Sequence, residues 1–206
     1  AFVVENVRGL KTIWGGNVYK EIIKKFESAG YIVTESLLNS ADYGVPQIRH
    51  RVFIVGIKKE LNKKFEFPKP EFDKDDYITC GEAIGNLPSL ENGELKSNDY
   101  NEKPTTNYQR YVMDSNKIYN HEATLHKQFV KDTIALVPEG GNYKDLPKGV
   151  GDSRKFNEAW TRYHSKKPSR TIDTGHRNHF HYKWNRVPTI RENARLQSFK
   201  DSFEFL

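Results

Sequence analysis

A carboxylate follows directly on a short apolar run at the start of the chain. Residues 1–4 (AFVV) are apolar and rich in β-branched side chains, a pattern that predicts a buried strand, and Glu5 and Asn6 come next. In an α/β sheet, ligands collect beyond the carboxyl ends of the strands, so we expect Glu5 and Asn6 to face a substrate. A carboxylate that caps a turn or pairs with a basic neighbour would show the same pattern.

Three polar side chains alternate before a later apolar run. Gln47, Arg49 and Arg51 are spaced two residues apart and lead into VFIVGI, so an extended backbone would point them to one side. Two guanidinium groups and an amide can together bind a carboxylate, a phosphate or the polar edge of a base. The spacing therefore predicts a polar binding face rather than a solvated edge strand.

Helix and strand patterns alternate around these residues. In NVYKEIIKKFES the apolar residues recur at helical spacing, and Gly30 follows as a stop. The stretches YIVTESLLN and RVFIVGI are rich in β-branched residues and have the pattern of strands. The order strand, helix, strand, turn, strand predicts an α/β fold, which we expect to contain a parallel sheet.

The pattern changes in the middle of the chain. Charge, proline and phenylalanine dominate residues 58–74, and ITCGEAIGNLPSL then predicts a short helix with Thr79 as its N-cap and Pro88 at its end. Residues 89–120 are rich in asparagine and weakly periodic. We therefore expect a loop-rich second region after residue 88.

Two further helices are predicted in the second region. HEATLHKQFVKDTIALV places four apolar side chains at helical spacing, namely Leu125, Phe129, Ile134 and Leu136. PTIRENARLQSF predicts a compact helix, in which Thr189 and Glu192 have the spacing of a capping box.

Positive charge is concentrated late in the chain. Residues 148–191 hold 11 basic and 3 acidic side chains, interleaved with tyrosine, phenylalanine and tryptophan, within a chain of net charge +6. Basic groups neutralise phosphates and aromatic rings stack on bases, so this segment predicts a nucleic-acid surface. A solvated basic face remains the alternative.

Composition excludes several classes of protein. The single cysteine, Cys80, cannot form an internal disulfide or a cysteine-rich zinc site, which fits a reducing cytoplasm. Neither a run of about 20 apolar residues nor a secretory signal is present in the sequence. We therefore expect a cytoplasmic protein without a membrane partner.

Ordered sequence blocks resemble one enzyme family. The blocks ENV (5–7), NSADYGVPQIRHR (39–51) and VPTIRENARLQSFKD (187–201) resemble, in order and spacing, signature blocks of the DNA (cytosine-5) methyltransferases. GEAIGNLP (81–88), PEGGNYKDLP (138–147) and PSRTIDTG (168–175) resemble text in bacterial modification methylases of type II restriction systems. Together these blocks extend over nearly the whole chain.

The resemblance implies a fold and a reaction. It implies a partial Rossmann-like methyltransferase domain at residues 1–88 and a smaller, irregular mixed α/β target-recognition domain, with the following helix, at residues 89–206. Members of the family flip a cytosine out of double-stranded DNA, attack its C6 with a cysteine thiolate, and move a methyl group from S-adenosylmethionine to C5.

The resemblance also implies roles for the polar residues at the start of the chain. Glu5 would hold the edge of the flipped cytosine formed by N3 and the exocyclic amine. Arg51 would contact the base near O2, with Arg49 beside it. Asn6 and Gln47 would support the pocket.

Target recognition is implied for the later part of the chain. Thr171 and Ile172 match the threonine-plus-aliphatic pair of the family's recognition region, which enters the major groove. Arg191 and Arg195 lie in the third block and would support that region. The residues we expect to bind DNA are Arg154, Arg162, Arg170, Thr171, Ile172, His176, Arg177 and Arg186.

The sequence departs from the family pattern in two places. The family's Pro-Cys loop and its glycine-rich S-adenosylmethionine turn have no counterpart here, and Cys80 lacks the preceding proline. We expect Cys80 to be a small buried thiol and not the nucleophile. The chain is then the C-terminal portion of an enzyme whose N-terminal part or subunit carries the nucleophile and most of the cofactor pocket.

Two other interpretations are compatible with parts of the sequence. A non-catalytic DNA-binding module or specificity subunit would also lack the nucleophile loop, and it would bind DNA without methylating it. In GHRNHFHY, His176, His179 and His181 are candidate metal ligands, but further ligands at suitable spacing are not apparent, and no metal is predicted.

Overall fold

The structure is a computed structural model that describes residues 1–91, 95–150, 160–173 and 178–206. Three of the predicted DNA contacts, Arg154, His176 and Arg177, lie outside the described residues. The fold is mixed α/β, which confirms the predicted class.

The described chain divides into two compact units. The first unit comprises Ala1–Tyr43 and Arg49–Lys74, and the second comprises Gly44–Ile48 and Asp75–Leu206. The division falls after Lys74, whereas the sequence predicts it at residue 88. The segment from residue 75 to 88 therefore packs within the second unit.

The first unit contains a three-stranded sheet in the order β1-β3-β2. Its strands are β1 (Phe2–Val7), β2 (Tyr31–Asn39) and β3 (His50–Lys58), and the helix α1 (Asn17–Ser28) connects β1 to β2. β3 runs antiparallel to both neighbours, so the prediction of a parallel sheet is wrong. Residues 40–49 between β2 and β3, which include a 3-10 helix at Ser40–Tyr43, return the chain in the opposite direction without an α-helical crossover.

One face of the sheet is buried under α1. Phe2, Val4 and Ile54 lie in this core together with Tyr19 of the helix. Alternate residues of β1 point the other way, and Val3 is 66% exposed. β1 is thus covered on one face only, and it continues past residue 4 so that Glu5 lies within the strand and not beyond its end.

The second unit is built from short helices and one small sheet. The helices are α2 (Cys80–Ile84), α3 (Asn107–Val112), α4 (Gln128–Ala135) and α5 (Ile190–Arg195), and the parallel strands are β4 (Thr161–Arg162) and β5 (His179–Phe180). Its main core includes Cys80, Tyr108 and Leu196. None of the helices in the described ranges is long and apolar enough to cross a bilayer.

Local signals fix the ends of two helices in this unit. Thr79 caps α2 in a capping box with Glu82, and Thr189 caps α5 in a capping box with Glu192, which confirms both predictions. α3 lies in the region predicted to be loop-rich.

The apolar residues predicted around α4 have different environments. Ile134 is 1% exposed, whereas Leu125, Phe129 and Leu136 are exposed. The periodicity therefore predicts the helix correctly, but only one of the four apolar side chains, Ile134, is buried in the core.

Candidate functional site

An ion pair joins β1 to β3 on the face of the sheet opposite α1. The Glu5 Oε1 atom lies 2.8 Å from Arg51 Nε, and the side chains are 46% and 18% exposed, respectively. Arg51 Nη1 also donates a hydrogen bond of 2.9 Å to the His50 carbonyl oxygen. The guanidinium group is thus held by the protein, while nearly half of the carboxylate side chain is open to a ligand.

The strand register produces this pair. Glu5 is directly opposite Phe53, and Val7 is directly opposite Arg51. Side chains that are opposite or diagonal across two antiparallel strands share one face, so Glu5 and Arg51 are diagonal neighbours. Two residues separated by 46 positions in the chain therefore meet by strand pairing alone.

Arg49 lies close to the same pair, just before β3. Its backbone N–H donates to Asn39 Oδ1 at 3.1 Å, and its carbonyl oxygen accepts from the Ser40 N–H at 3.1 Å. Burial and the neighbouring charge of Arg51 lower the pKa of Arg49, and Glu5 acts in the opposite direction. The structure therefore brings Glu5, Arg49 and Arg51 together, with two cations around one carboxylate.

The two predicted supporting residues lie in different surroundings. Asn6 is exposed, and its Oδ1 accepts a hydrogen bond of 2.8 Å from the Val7 N–H. Gln47 belongs to the second unit, where it is 1% exposed and forms a parallel bridge with Ser169. β3 begins only at His50, so the three alternating residues do not share one strand.

Arg186 is a structural residue, which corrects the expectation that it binds DNA. It is 3% exposed, and its Nη1 and Nη2 donate to Glu192 Oε2 and Oε1 at 2.8 and 2.7 Å. Nη2 also donates to the Ser89 carbonyl oxygen at 3.2 Å. A phosphate could reach this guanidinium only if the buried pair were broken.

Two further residues predicted to bind DNA are also buried. Arg162 Nη2 donates to the Ile134 carbonyl oxygen at 2.6 Å and to Asn185 Oδ1 at 2.7 Å, and burial lowers the pKa of Arg162. Ile172 is 8% exposed and belongs to the main core of the second unit. Both stabilise the unit from inside, so the expectation of a base or phosphate contact is corrected for them.

The residues next to Ile172 differ in exposure. Thr171 is half-buried, and its hydroxyl donates to the Ile48 carbonyl oxygen at 2.9 Å. Arg170 is exposed and remains a predicted DNA contact.

Arg191 and Arg195 hold the end of α5 to the rest of the second unit. Arg195 pairs with Asp201 through two hydrogen bonds of 2.9 and 2.6 Å, and Nη1 donates to Asn86 Oδ1 at 2.7 Å. Arg191 donates to the carbonyl oxygens of Tyr119 and Lys200, each at 2.8 Å. These contacts hold α5 within the second unit, and the support of a recognition region by the two arginines stays a prediction.

Glu192 is the centre of a buried charge network that sequence reasoning missed. It is 1% exposed, and its Oε1 lies 3.7 Å from His181 Nε2. Burial raises the pKa of Glu192, but its neighbours, Arg186 first among them, outweigh that effect and hold it well below its ordinary value. The capping box was the sequence signal for this network, since it fixes the position of the Glu192 carboxylate, six residues after Arg186.

His181 is held neutral inside this network. Burial lowers its pKa to about 4. The backbone N–H groups of Lys183 and Trp184 donate to Nδ1 at 3.0 and 3.1 Å, which leaves the ring proton on Nε2. The imidazole thus accepts on one side and faces Glu192 with the other.

Acidification is expected to destabilise the second unit from about pH 6.5 downward, where histidine takes up protons before carboxylates begin to do so. An unfolded histidine titrates near pH 6.5, so below that value the unfolded chain binds a proton that folded His181 does not bind until about pH 4. The free energy of unfolding should therefore fall by about 1.4 kcal/mol per pH unit across this window. Urea unfolding at a series of pH values measures the slope, and His181→Asn should reduce it. A flat profile between pH 6.5 and pH 4 would contradict the expectation.

Cys80 has the environment predicted for a structural thiol. It is fully buried, and burial raises the pKa of its thiol well above the ordinary value. Its backbone N–H donates to the Lys167 carbonyl oxygen at 2.9 Å. A thiol in this state does not supply a nucleophilic thiolate.

The fold has a counterpart among solved structures. A crystal structure of an E. coli prophage protein, described as a DNA modification methyltransferase, superposes with a TM-score of 0.73 and 24% sequence identity, covering 99% of this chain and 60% of that chain. The two chains thus share a fold.

The sequence then defines the family. The family model for C-5 cytosine-specific DNA methylases matches residues 1–206, and the chain belongs to this family. Type II methyltransferase M1.HphI of Haemophilus parahaemolyticus is 38% identical over 209 residues, covering 100% of this chain and 49% of that protein. Type II methyltransferase M.NgoFVII of Neisseria gonorrhoeae is 34% identical over 216 residues, covering 100% of this chain and 50% of that protein. The chain therefore spans about half the length of the curated relatives it matches.

Proposed function

We propose that the chain supplies the base-binding and DNA-recognition parts of a bacterial, cytoplasmic type II DNA (cytosine-5) methyltransferase. The enzyme would transfer a methyl group to C5 of a flipped cytosine in double-stranded DNA, as the modification arm of a restriction-modification system. The observation that carries the proposal is the Glu5–Arg51 pair of 2.8 Å, in a chain that belongs to the methylase family.

The proposed chemistry at this pair is electrostatic. Addition of a nucleophile to C6 of cytosine places negative charge on the ring, at N3 and O2. Glu5 would accept a hydrogen bond from the exocyclic amine and share a proton with N3 that offsets the charge developing there, and Arg51, with Arg49 beside it, would stabilise the charge near O2. Because the ion pair and the strand ladder fix the two groups before the base arrives, little reorganisation is needed during the reaction.

The methyl donor of this family is S-adenosylmethionine, which supplies an electrophilic methyl group. The donor set around Glu5 consists of two guanidinium groups and a carboxylate, and its net positive charge suits the polar edge of a base and not the cationic sulfonium of the methyl donor. We therefore assign no cofactor contact to these residues. The burial of Cys80, the single cysteine, supports a nucleophile supplied by sequence outside these 206 residues.

A chimera tests the proposal directly. This chain would replace the matching part of M1.HphI, and methyl transfer from labelled S-adenosylmethionine to mixed-sequence duplex DNA would be measured. We expect activity from the chimera, none from the 206-residue chain alone, and activity within about threefold of the parent chimera from Cys80→Ala, because a buried structural thiol takes no part in the chemistry.

Three results would contradict this proposal. Methyl transfer by the isolated chain would show that it holds its own nucleophile. Loss of activity in a folded Cys80→Ala chimera would assign that role to Cys80. A folded chimera that binds duplex DNA without methylating it would favour the alternative, a non-catalytic specificity module.

A further inference from the structure

We propose that Trp14 is a DNA contact, and that its indole packs against a base or sugar of the duplex beside the target cytosine. This inference rests on the proposed function and adds to it a residue outside the sequence blocks that resemble the family.

The indole of Trp14 is 78% exposed. The other two tryptophans are half-buried, and each lies against an aromatic neighbour: the rings of Trp160 and Phe180 are 6.2 Å apart, and those of Trp184 and His181 are 6.3 Å apart. A large, rigid apolar ring left in water gains free energy when a partner covers it, which is why tryptophan is enriched at the centres of interfaces.

The backbone holds Trp14 in an uncommon conformation. Trp14 has φ 48° and ψ 47°, and Gly15 and Gly16 follow with φ of 66° and 82°. A left-handed non-glycine residue costs free energy and persists where the surrounding chain determines it, often at functional positions. A Cβ at Gly16 would lie 3.0 Å from the Lys11 carbonyl oxygen, so this turn is closely packed and directs the indole outward.

Trp14 follows β1 at the same end of the strands as the candidate base-binding pair, Glu5 and Arg51. β1 carries Glu5 and ends at Val7, and the chain then passes through residues 8–16 before α1 begins. Because β3 is antiparallel to β1, it starts at the end of the sheet where β1 ends, and Arg51 is its second residue. Leu10 packs in the core under α1 and Lys11 pairs with Glu35, so the segment leaves the strand end towards α1, and a duplex that delivers a base to Glu5 and Arg51 would have to extend past this end of the sheet to reach Trp14.

The charge around Trp14 suits a polyanion. Residues 6–20 include Arg8, Lys11 and Lys20 and no acidic side chain. Arg8 is exposed, whereas Lys11 pairs with Glu35 at 2.9 Å. Cations beside an exposed aromatic ring are the combination with which proteins bind phosphates and pack against bases.

Binding measurements with the full 206-residue chain test the inference. We expect Trp14→Ala to weaken binding to a labelled mixed-sequence duplex about tenfold, and Trp14→Phe to restore it to within about threefold, because an aromatic ring is retained. The dependence of the Kd on salt should not change, since the indole carries no charge. Leu61→Ala is the matched control. Leu61 is 60% exposed and follows the end of β3, at the opposite end of the strands, so its substitution should not change the Kd.

Acrylamide quenching of Trp14 fluorescence adds a second measurement. If Trp14 had only a structural role, DNA would not change this quenching. The difference in fluorescence between the parent chain and Trp14→Phe reports Trp14, and duplex DNA should protect that component. Equal Kd values for the parent and Trp14→Ala would overturn the inference alone. Protection of Trp14 in the chimera before DNA is added would also overturn it, by showing that the rest of the enzyme covers the indole. A parent chain that binds no DNA would contradict the proposed function together with the inference.

Discussion

Glu5→Gln in the M1.HphI chimera is expected to lower methyl transfer by about two to three orders of magnitude, the effect typical of losing one preorganised electrostatic group in an active site. The variant keeps the size of the side chain but removes the charge that pairs with Arg51 at 2.8 Å. Duplex binding should stay within about twofold of the parent, because a single base edge contributes little beside the phosphate contacts.

Glu21→Gln is the matched control for this prediction. Glu21 is also a carboxylate of the first unit in an ion pair, with Lys25 at 3.1 Å, but it lies on the surface of α1 with 66% of its side chain exposed. Turnover of the control should equal that of the parent. Unchanged turnover in Glu5→Gln, or a loss of binding as large as the loss of turnover, would remove Glu5 from its proposed role.

Glu192→Gln is expected to lower the free energy of unfolding of the second unit by about 3–5 kcal/mol. The change creates no cavity, but it takes from the guanidinium of Arg186, itself 3% exposed, the buried carboxylate that accepts two of its hydrogen bonds, and leaves Glu91, 3.4 Å from Nε, as its anionic partner. Urea unfolding followed by circular dichroism measures the loss, with Glu122→Gln, an exposed residue of the same unit, as the control.

A double variant separates the ion pair from other effects at this position. Glu192→Gln with Arg186→Gln removes both buried charges, and it should be destabilised by less than the sum of the two single variants, because only the partly exposed Glu91 then lacks its partner. A loss below about 1 kcal/mol in Glu192→Gln, or strict additivity, would show that the buried pair does not stabilise the unit.

Features set by local interactions could be predicted from the sequence. α1 ends before Gly30 as its pattern indicates, and Thr79 and Thr189 cap their helices through contacts within four residues. The direction of β3 could not be obtained in this way, because strand pairing is decided by residues far apart in the chain and by the length of the connection. The limits of β1 were missed for the same reason, since Glu5 is drawn into the strand by its partner Phe53.

The sequence predicts which types of residue form the candidate site, but it does not predict which of the basic side chains are exposed. Glu5 and Arg51 were found from their position next to apolar runs, and the structure brings them together. Arg186 and Arg170 lie in the same basic, aromatic segment, and their sequence surroundings do not show that one is buried and the other exposed. Burial of an arginine depends on a tertiary partner, here Glu192, so composition alone overestimates a basic surface.

The pairing register of β1 and β3 also limits how the gene can vary. Moving β3 by one residue would turn Arg51 to the face covered by α1, and moving it by two would carry the guanidinium about 7 Å along the strand, away from Glu5. An in-frame codon deletion within either strand would thus separate the two charges even where the protein still folds. We expect natural variation at these strands to consist of substitutions, with insertions and deletions confined to the connecting segments.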